Sequence, residues 1–304
     1  MPPLRLQGVL APVVTPFHSD LSVAPERLVR HCQWLLAHGC SGLAVFGTNS
    51  EANSLAVEER IALLEALVAA GVPAEKLLPG TGCCALPDSV KLTAHAVQLG
   101  CAGVLMLPPF YYKAVTDEGL YRSFSEVIQR VGDDRLRLYM YHIPQVAQVP
   151  ITRGLIERLL RAYPQQVAGI KDSSGDWNHT RTVLDATAGS GFDVFVGSEV
   201  FLLQNLRAGG VGCITADANV NPHGIDAVYR NWQSPQAAEL QARADQVRQT
   251  LQSVPLLPAL KAVIAHFAGD PAWATVRPPL VELAPSERAA LITALGELGF
   301  QMPE

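Results

Sequence analysis

The stretch VAGIKDSSGDWNHTRTVLDATAGSGFDVFVG, residues 167–197, decides how this chain folds. It opens on an apolar run, Val167–Lys171, passes a short Ser/Gly turn, and continues through an amphipathic segment, Trp177–Ala188. Two glycines, Gly189 and Gly191, then lead into a second apolar run, Asp193–Gly197. Strand, helix, strand is the reading. Both runs are nearly continuous in apolar residues and do not alternate, as expected when both faces of a parallel sheet are covered by helices. Working outward, the same unit recurs at Val9–Phe17, Gly42–Gly47, Leu77–Gly82, Gly103–Pro108, Leu136–Ile143 and Val211–Thr215. The intervening segments Pro25–His38, Val57–Ala70, Pro87–Leu99, Gly119–Val131 and Thr152–Ala162 carry helical periodicity, with Thr116 or Asp117 placed to cap one of them. Eight such runs predict an α/β fold of the (β/α)8 TIM-barrel type. No GxGxxG follows the first run, which argues against an open dinucleotide-binding sheet.

After about residue 222 the strand pattern stops. Asn231–Leu251, Leu257–Phe267 and Pro285–Leu298 read as helices, so the expected organisation is a barrel over residues 1–224 and a C-terminal helical appendage over 225–304, packed on it. The net charge of −5 and the absence of any polybasic run make nucleic acid and acidic membrane surfaces poor partners. The six cysteines form no CxxC pair and no zinc-ligand spacing. The N-terminus lacks the features of a signal peptide, and no apolar stretch reaches bilayer-spanning length. A cytoplasmic protein with reduced thiols is expected.

In a barrel of this kind the active site lies at the C-terminal ends of the strands. The polar residues there are Gly47-Thr48-Asn49-Ser50-Glu51, Tyr111-Tyr112-Lys113, Tyr141-His142, Lys171-Asp172-Ser173-Ser174, Gly197-Ser198-Glu199 and Thr215-Ala216-Asp217. Of the five lysines (Lys76, Lys91, Lys113, Lys171 and Lys261), Lys171 alone follows directly on an apolar run. Desolvation there favours the neutral amine, a nucleophile able to condense with a ketone, and the protonated imine is an electron sink for bonds α to the former carbonyl. The competing reading pairs Lys171 with a carboxylate such as Asp172, and Lys113 is the rival amine at the same face. Tyr141 ends the neighbouring strand; it is either a proton shuttle relayed by the Thr48 hydroxyl or an aromatic lining the barrel. The Gly47–Glu51 loop offers amides that suit a carboxylate, with Glu51 in a structural role. Cys83 and Cys84 read as filler, and His142 is placed to touch a substrate.

Together these residues resemble the dihydrodipicolinate synthase / N-acetylneuraminate lyase family of class I aldolases, over nearly the whole chain. Gly47-Thr48-Asn49-Ser50-Glu51 stands for its GTTGE signature, Tyr141-His142-Ile143-Pro144 for Tyr-Asn-(Ile/Val)-Pro, Gly169-Ile170-Lys171-Asp172 for the Schiff-base signature, and Pro108-Pro109-Phe110-Tyr111-Tyr112 for its Pro-Pro-Tyr-Tyr segment. The resemblance implies that Lys171 forms an imine with pyruvate or another 2-oxo acid and that Tyr141 is the general acid/base. It implies that Thr48 passes the proton to Tyr112 (or Tyr111) of a neighbouring subunit, and that the amides of Thr48 and Asn49 hold the carboxylate. Gly197 and Ile214 line the substrate pocket through backbone groups in this picture, and Gly47, His142 and Ser173 are further candidates for substrate contact from their place at the strand ends. It further implies a homotetramer built as a dimer of dimers, and neither metal nor organic cofactor.

Three departures shape the expected activity. Val146 holds the place of the Arg that binds the second substrate's carboxylate in true synthases, and a Val cannot form that bidentate pair; its loss costs on the order of several kcal/mol of discrimination. Asn49 and Ser50 replace Thr and Gly, and His142 replaces Asn. The reading these favour is a lyase that cleaves or dehydrates a 2-oxo acid such as a 2-keto-3-deoxy sugar acid. The alternatives are 4-hydroxy-tetrahydrodipicolinate synthase, condensing pyruvate with aspartate semialdehyde, and a non-catalytic ligand-binding barrel.

Overall fold

The computed structural model describes residues 5–303. Seven strands form one parallel sheet: β1 (Gly8–Ala11), β2 (Gly42–Leu43), β3 (Val104–Met106), β4 (Leu138–His142), β5 (Val167–Asp172), β6 (Asp193–Val196) and β7 (Gly212–Ile214), in the order β2-β1-β7-β6-β5-β4-β3. The helices are α1 (Pro25–Ala37), α2 (Val57–Ala69), α3 (Leu86–Gln98), α4 (Asp117–Val131), α5 (Pro144–Ala147), α6 (Arg153–Ala162), α7 (Trp177–Thr187), α8 (Leu202–Arg207), α9 (Pro222–Arg230), α10 (Ala237–Leu251), α11 (Leu256–Phe267) and α12 (Pro285–Glu297). The repeated strand–helix alternation is present, with seven strands among the described residues where eight were expected. The run Leu77–Gly82 forms only isolated bridges, Leu43↔Leu77 and Gly80↔Leu105. Pro79 at its centre has no N–H to give a ladder. The segment nonetheless bonds to both edges of the sheet, Leu78 N to Leu43 O at 2.8 Å and Thr81 N to Leu105 O at 3.0 Å.

Local chemistry explains the helix limits. Thr116 Oγ1 accepts from Gly119 N at the start of α4, Thr152 and Asp176 cap α6 and α7 in the same way, and Gly132 closes α4 at φ 59°. The expected helix Asn231–Leu251 starts only at Ala237, and the preceding α9 was not foreseen. Pro222 sits in the first turn of α9, where its missing N–H costs nothing. The anticipated boundary after residue 224 therefore falls inside a helix.

Three apolar clusters divide the interior. The largest lies between the sheet and the helices around it. A second fills the inside of the sheet, with Leu10, Ala44, Leu78, Leu105, Tyr139, Tyr141, Phe195 and Ile214. The third joins α10, α11 and α12 to Val14, Ala216 and Val220, so the C-terminal helices share a core with the ends of the first and last strands. No helix of the described residues is long and apolar enough to cross a membrane.

Candidate active site

Lys171 and Tyr141 are directly opposite one another on β5 and β4. Their inward orientation depends on an irregularity: Leu138 faces Val167, but Tyr139 faces Gly169. The extra residue, Ala168, shifts the alternation by one, so Gly169 and Lys171 point inward while Ile170 and Asp172 point to the helices. Lys171 is 3% exposed, and its Nζ lies 4.2 Å from the centroid of the Tyr141 ring. Asp172, on the other face, is bound to His179 Nδ1 at 2.8 Å, to Thr180 Oγ1 at 2.7 Å and to the Ser174 amide at 2.9 Å. The carboxylate that could have neutralised Lys171 is thus engaged elsewhere.

The phenol of Tyr141 is 3.4 Å from Thr48 Oγ1. Burial alone would raise the pKa of the phenol, but the ammonium of Lys171 and the Thr48 hydroxyl outweigh it, leaving the phenol below its ordinary value. Thr48 and Asn49 open a tight turn, Thr48–Ser50, whose first two amides have no acceptor within it. Gly47 N, by contrast, is used by Ser50 Oγ at 3.1 Å.

That turn is held from behind by the C-terminal region. Glu51 ends it in the left-handed conformation, φ 55°, which costs a non-glycine residue roughly 1–2 kcal/mol. Its buried carboxylate accepts from Lys261 Nζ of α11 through one oxygen and from Arg277 N, at 2.9 Å, through the other. Lys261 also donates to Thr275 O at 2.8 Å and lies over the Phe17 ring. Burial brings the Lys261 ammonium down to about 8, with the neighbouring Glu51 opposing that shift. The structural role expected for Glu51 has in Lys261 a partner the sequence reading missed. One signal was available: a lone lysine inside an otherwise apolar helix.

A cavity of about 370 Å³ collects Lys171, Tyr141, Thr48, Asn49, Ser173 and Gly197. At Gly197 a Cβ would fall on Ser173 Oγ, so only glycine fits. Ser198, Gln145, Arg248 and Gln252 line it too, the last two from α10 and its C-cap. No sequence pattern marked these two. The remaining candidates lie elsewhere. Ile214 packs with Leu10 and Phe195 in the sheet interior. His142 faces the helices, stacked 4.2 Å from His179, with its Nδ1 accepting from Ile151 N at 3.1 Å; it does not line the cavity. Burial lowers His142 to about 4, whereas His179 is raised by its bond to Asp172. His142, Asp172 and His179 have the residue types of a metal site, but Nδ1 of His142 and the Asp172 carboxylate are already committed to protein partners. Tyr111 and Tyr112 are 73% and 74% exposed and touch each other, away from the cavity. Lys113 is exposed and caps the carbonyls of Phe110 and Ala147, which removes it as a rival amine. Cys83 and Cys84 do not line the cavity. Val146 is 60% exposed.

The arrangement is a buried amine, a phenol with a relay hydroxyl, and two free amides. A sequence model described as the dihydrodipicolinate synthetase family matches residues 5–298. An uncharacterized DapA-like lyase of Chloroflexus aurantiacus is 36% identical over 290 residues, 95% of each chain. Among solved structures, dihydrodipicolinate synthase from Agrobacterium tumefaciens superposes with a TM-score of 0.87 at 32% identity, over 96% of this chain and 99% of that one. YagE of Escherichia coli K12, a prophage protein of the dihydrodipicolinic acid synthase family solved with pyruvate, gives 0.88 at 27%, over 97% and 99%.

Proposed function

Since the chain belongs to the dihydrodipicolinate synthetase family and is a lyase, we propose that Lys171 captures a 2-oxo acid as an imine and that the enzyme cleaves, by retro-aldol reaction, a 2-keto-3-deoxy sugar acid. The observation that carries this is Lys171 itself: a buried amine lying on the Tyr141 ring, its neighbouring carboxylate turned away.

In this reading the substrate carboxylate is held by the Thr48 and Asn49 amides, and the Lys171 amine attacks the C2 carbonyl. Loss of water through Tyr141 leaves a protonated imine. The Tyr141 phenolate then takes the C4 hydroxyl proton, the C3–C4 bond breaks, and its electron pair enters the imine as an enamine. Protonation at C3 and hydrolysis release pyruvate and an aldehyde. A phenol held below its ordinary value by Lys171 suits such a base. The route invokes no metal or organic cofactor. Dehydration of the same imine is the variant outcome, and condensation of pyruvate with aspartate semialdehyde is disfavoured by Val146.

The bonds from segment 77–81 to both sheet edges support a closed (β/α)8 barrel over residues 1–224, with residues 225–304 as a helical cover that completes the site. The exposed Tyr111–Tyr112 pair supports a relay completed by a second subunit within a homotetramer. Six free cysteines suit a reducing cytoplasm.

The test is borohydride trapping with pyruvate, read by intact mass and peptide mapping, for wild type and Lys171→Ala. The expected result is one pyruvate-sized adduct on Lys171, absent in the variant, followed by pyruvate release from a panel of sugar acids. Folded wild type that traps neither pyruvate nor any larger 2-oxo acid would overturn the proposal.

A further inference from the structure

The C-terminal region contributes Arg248, Gln252 and Leu256 to the cavity wall, and Arg248 of α10 is the one cationic side chain besides Lys171 among the described lining residues. The guanidinium is anchored through one nitrogen. Arg248 Nη1 donates to Glu199 Oε2 at 2.8 Å, to Asp217 Oδ1 at 3.3 Å and to Thr215 Oγ1 at 3.4 Å. Nε and Nη2, the edge that can address one acceptor bidentately, have no protein acceptor among the described residues. We propose that Arg248 reads the far end of the substrate, and that what it reads is a hydroxyl group in place of a second carboxylate.

The charge arrangement sets the preference. Glu199 and Asp217 are each 1% exposed and face the same guanidinium. Burial, reinforced by the charge of Glu199, raises the Asp217 carboxyl well above its ordinary value, and the Arg248 guanidinium opposes that shift. Two buried carboxyl groups therefore already share the one guanidinium before any ligand arrives. A second carboxylate would share the guanidinium with Glu199 and meet its charge, whereas a hydroxyl meets none. Of the other polar side chains that line the cavity, Gln252, Gln145 and Ser198 are neutral and Asp176 is acidic, so none of them adds a cation. Val146, exposed on α5, offers no cation to compensate.

This inference rests on the reading that Lys171 holds the 2-oxo acid, and the test separates the two. Retro-aldol kcat/KM is measured for three substrates sharing the 4-hydroxy-2-oxo core: a 2-keto-3-deoxy sugar acid with distal hydroxyls, 4-hydroxy-2-oxopentanoate with a methyl end, and 4-hydroxy-2-oxoglutarate with a carboxylate end. The variants are Arg248→Met and the double change Arg248→Met/Glu199→Gln, the second avoiding an unpaired buried anion. A hydrogen bond to a charged group predicts a loss of about 10- to 100-fold on the hydroxylated substrate, and a change of less than about 3-fold on the methyl-ended one. Equal losses on both would overturn the assignment of Arg248, and so would a wild type that prefers the dicarboxylate. Absence of any trapped imine in wild type would overturn the Lys171 reading instead.

Discussion

Replacing Lys261 by Met removes the cation that neutralises Glu51 behind the Thr48–Asn49 turn. Both side chains are fully buried, so water cannot take the lysine's place. Breaking a buried pair from one side costs about 3–5 kcal/mol. The orphaned carboxylate has one escape, which is to bind a proton. From the ordinary glutamate value that costs about 3–4 kcal/mol at pH 7 and about 1.4 kcal/mol less for each unit the pH falls. The destabilisation of Lys261→Met is therefore capped at about 4 kcal/mol at pH 7 and shrinks to about 1 kcal/mol by pH 5. The sign follows from proton counting: in the variant the folded state binds a proton that the unfolded state does not, so stability falls as pH rises. Glu51→Gln/Lys261→Met removes both charges and should recover most of the loss, with a coupling of at least about 2 kcal/mol. Urea unfolding of wild type, Lys261→Met, Glu51→Gln and the double variant at pH 5 and pH 7 measures these quantities. Because the turn carries the two free amides, KM for pyruvate should rise in the single variant and fall back in the double. A loss that is the same at both pH values, or a double variant no better than the single, would refute the bracing role of Lys261.

Two further predictions concern the strand pair itself. Tyr141→Phe should lower kcat by about 10²–10⁴-fold while pyruvate can still be trapped on Lys171 at saturation; a loss under tenfold would remove the phenol from the relay. His142 stays neutral in the fold down to about 4, whereas an unfolded histidine takes a proton near 6.5. Between those values the unfolded state binds more protons, so stability drops on acidification, by about 2–3 kcal/mol at pH 4.5. His142→Asn should abolish that loss, and an unchanged acid limb in urea titrations would contradict it. His179 acts in the opposite sense: its raised value stabilises below about 6.5, and that contribution is lost as pH rises through the folded value.

The apolar runs with amphipathic segments between them located the strands and most helix starts, because covered parallel strands and capped helices leave composition signals within ten or so residues. Leu77–Gly82 makes isolated bridges to both sheet edges in place of a regular ladder; a continuous apolar run says nothing about whether its centre can donate, and Pro79 cannot. His142 was misplaced toward the substrate because neighbours in a strand point to opposite sides, and Tyr141 had already taken the inward one.

By itself, the sequence determined the parallel α/β class, the family, and the candidacy of Lys171, Tyr141 and Thr48, since each depends on residue type and short spacing. Only the tertiary structure decided which way Lys171 faces. One extra residue, Ala168, sets the alternation of β5 against β4, and register is a property of two strands together. Tertiary structure also decided that Asp172 would serve His179 and leave Lys171 free, that Lys261 would hold Glu51 from 210 residues away, and that Arg248 would reach the cavity. The last two are meetings between distant segments, chosen by how the C-terminal helices pack on the strand ends, and no local pattern in the chain names the partner.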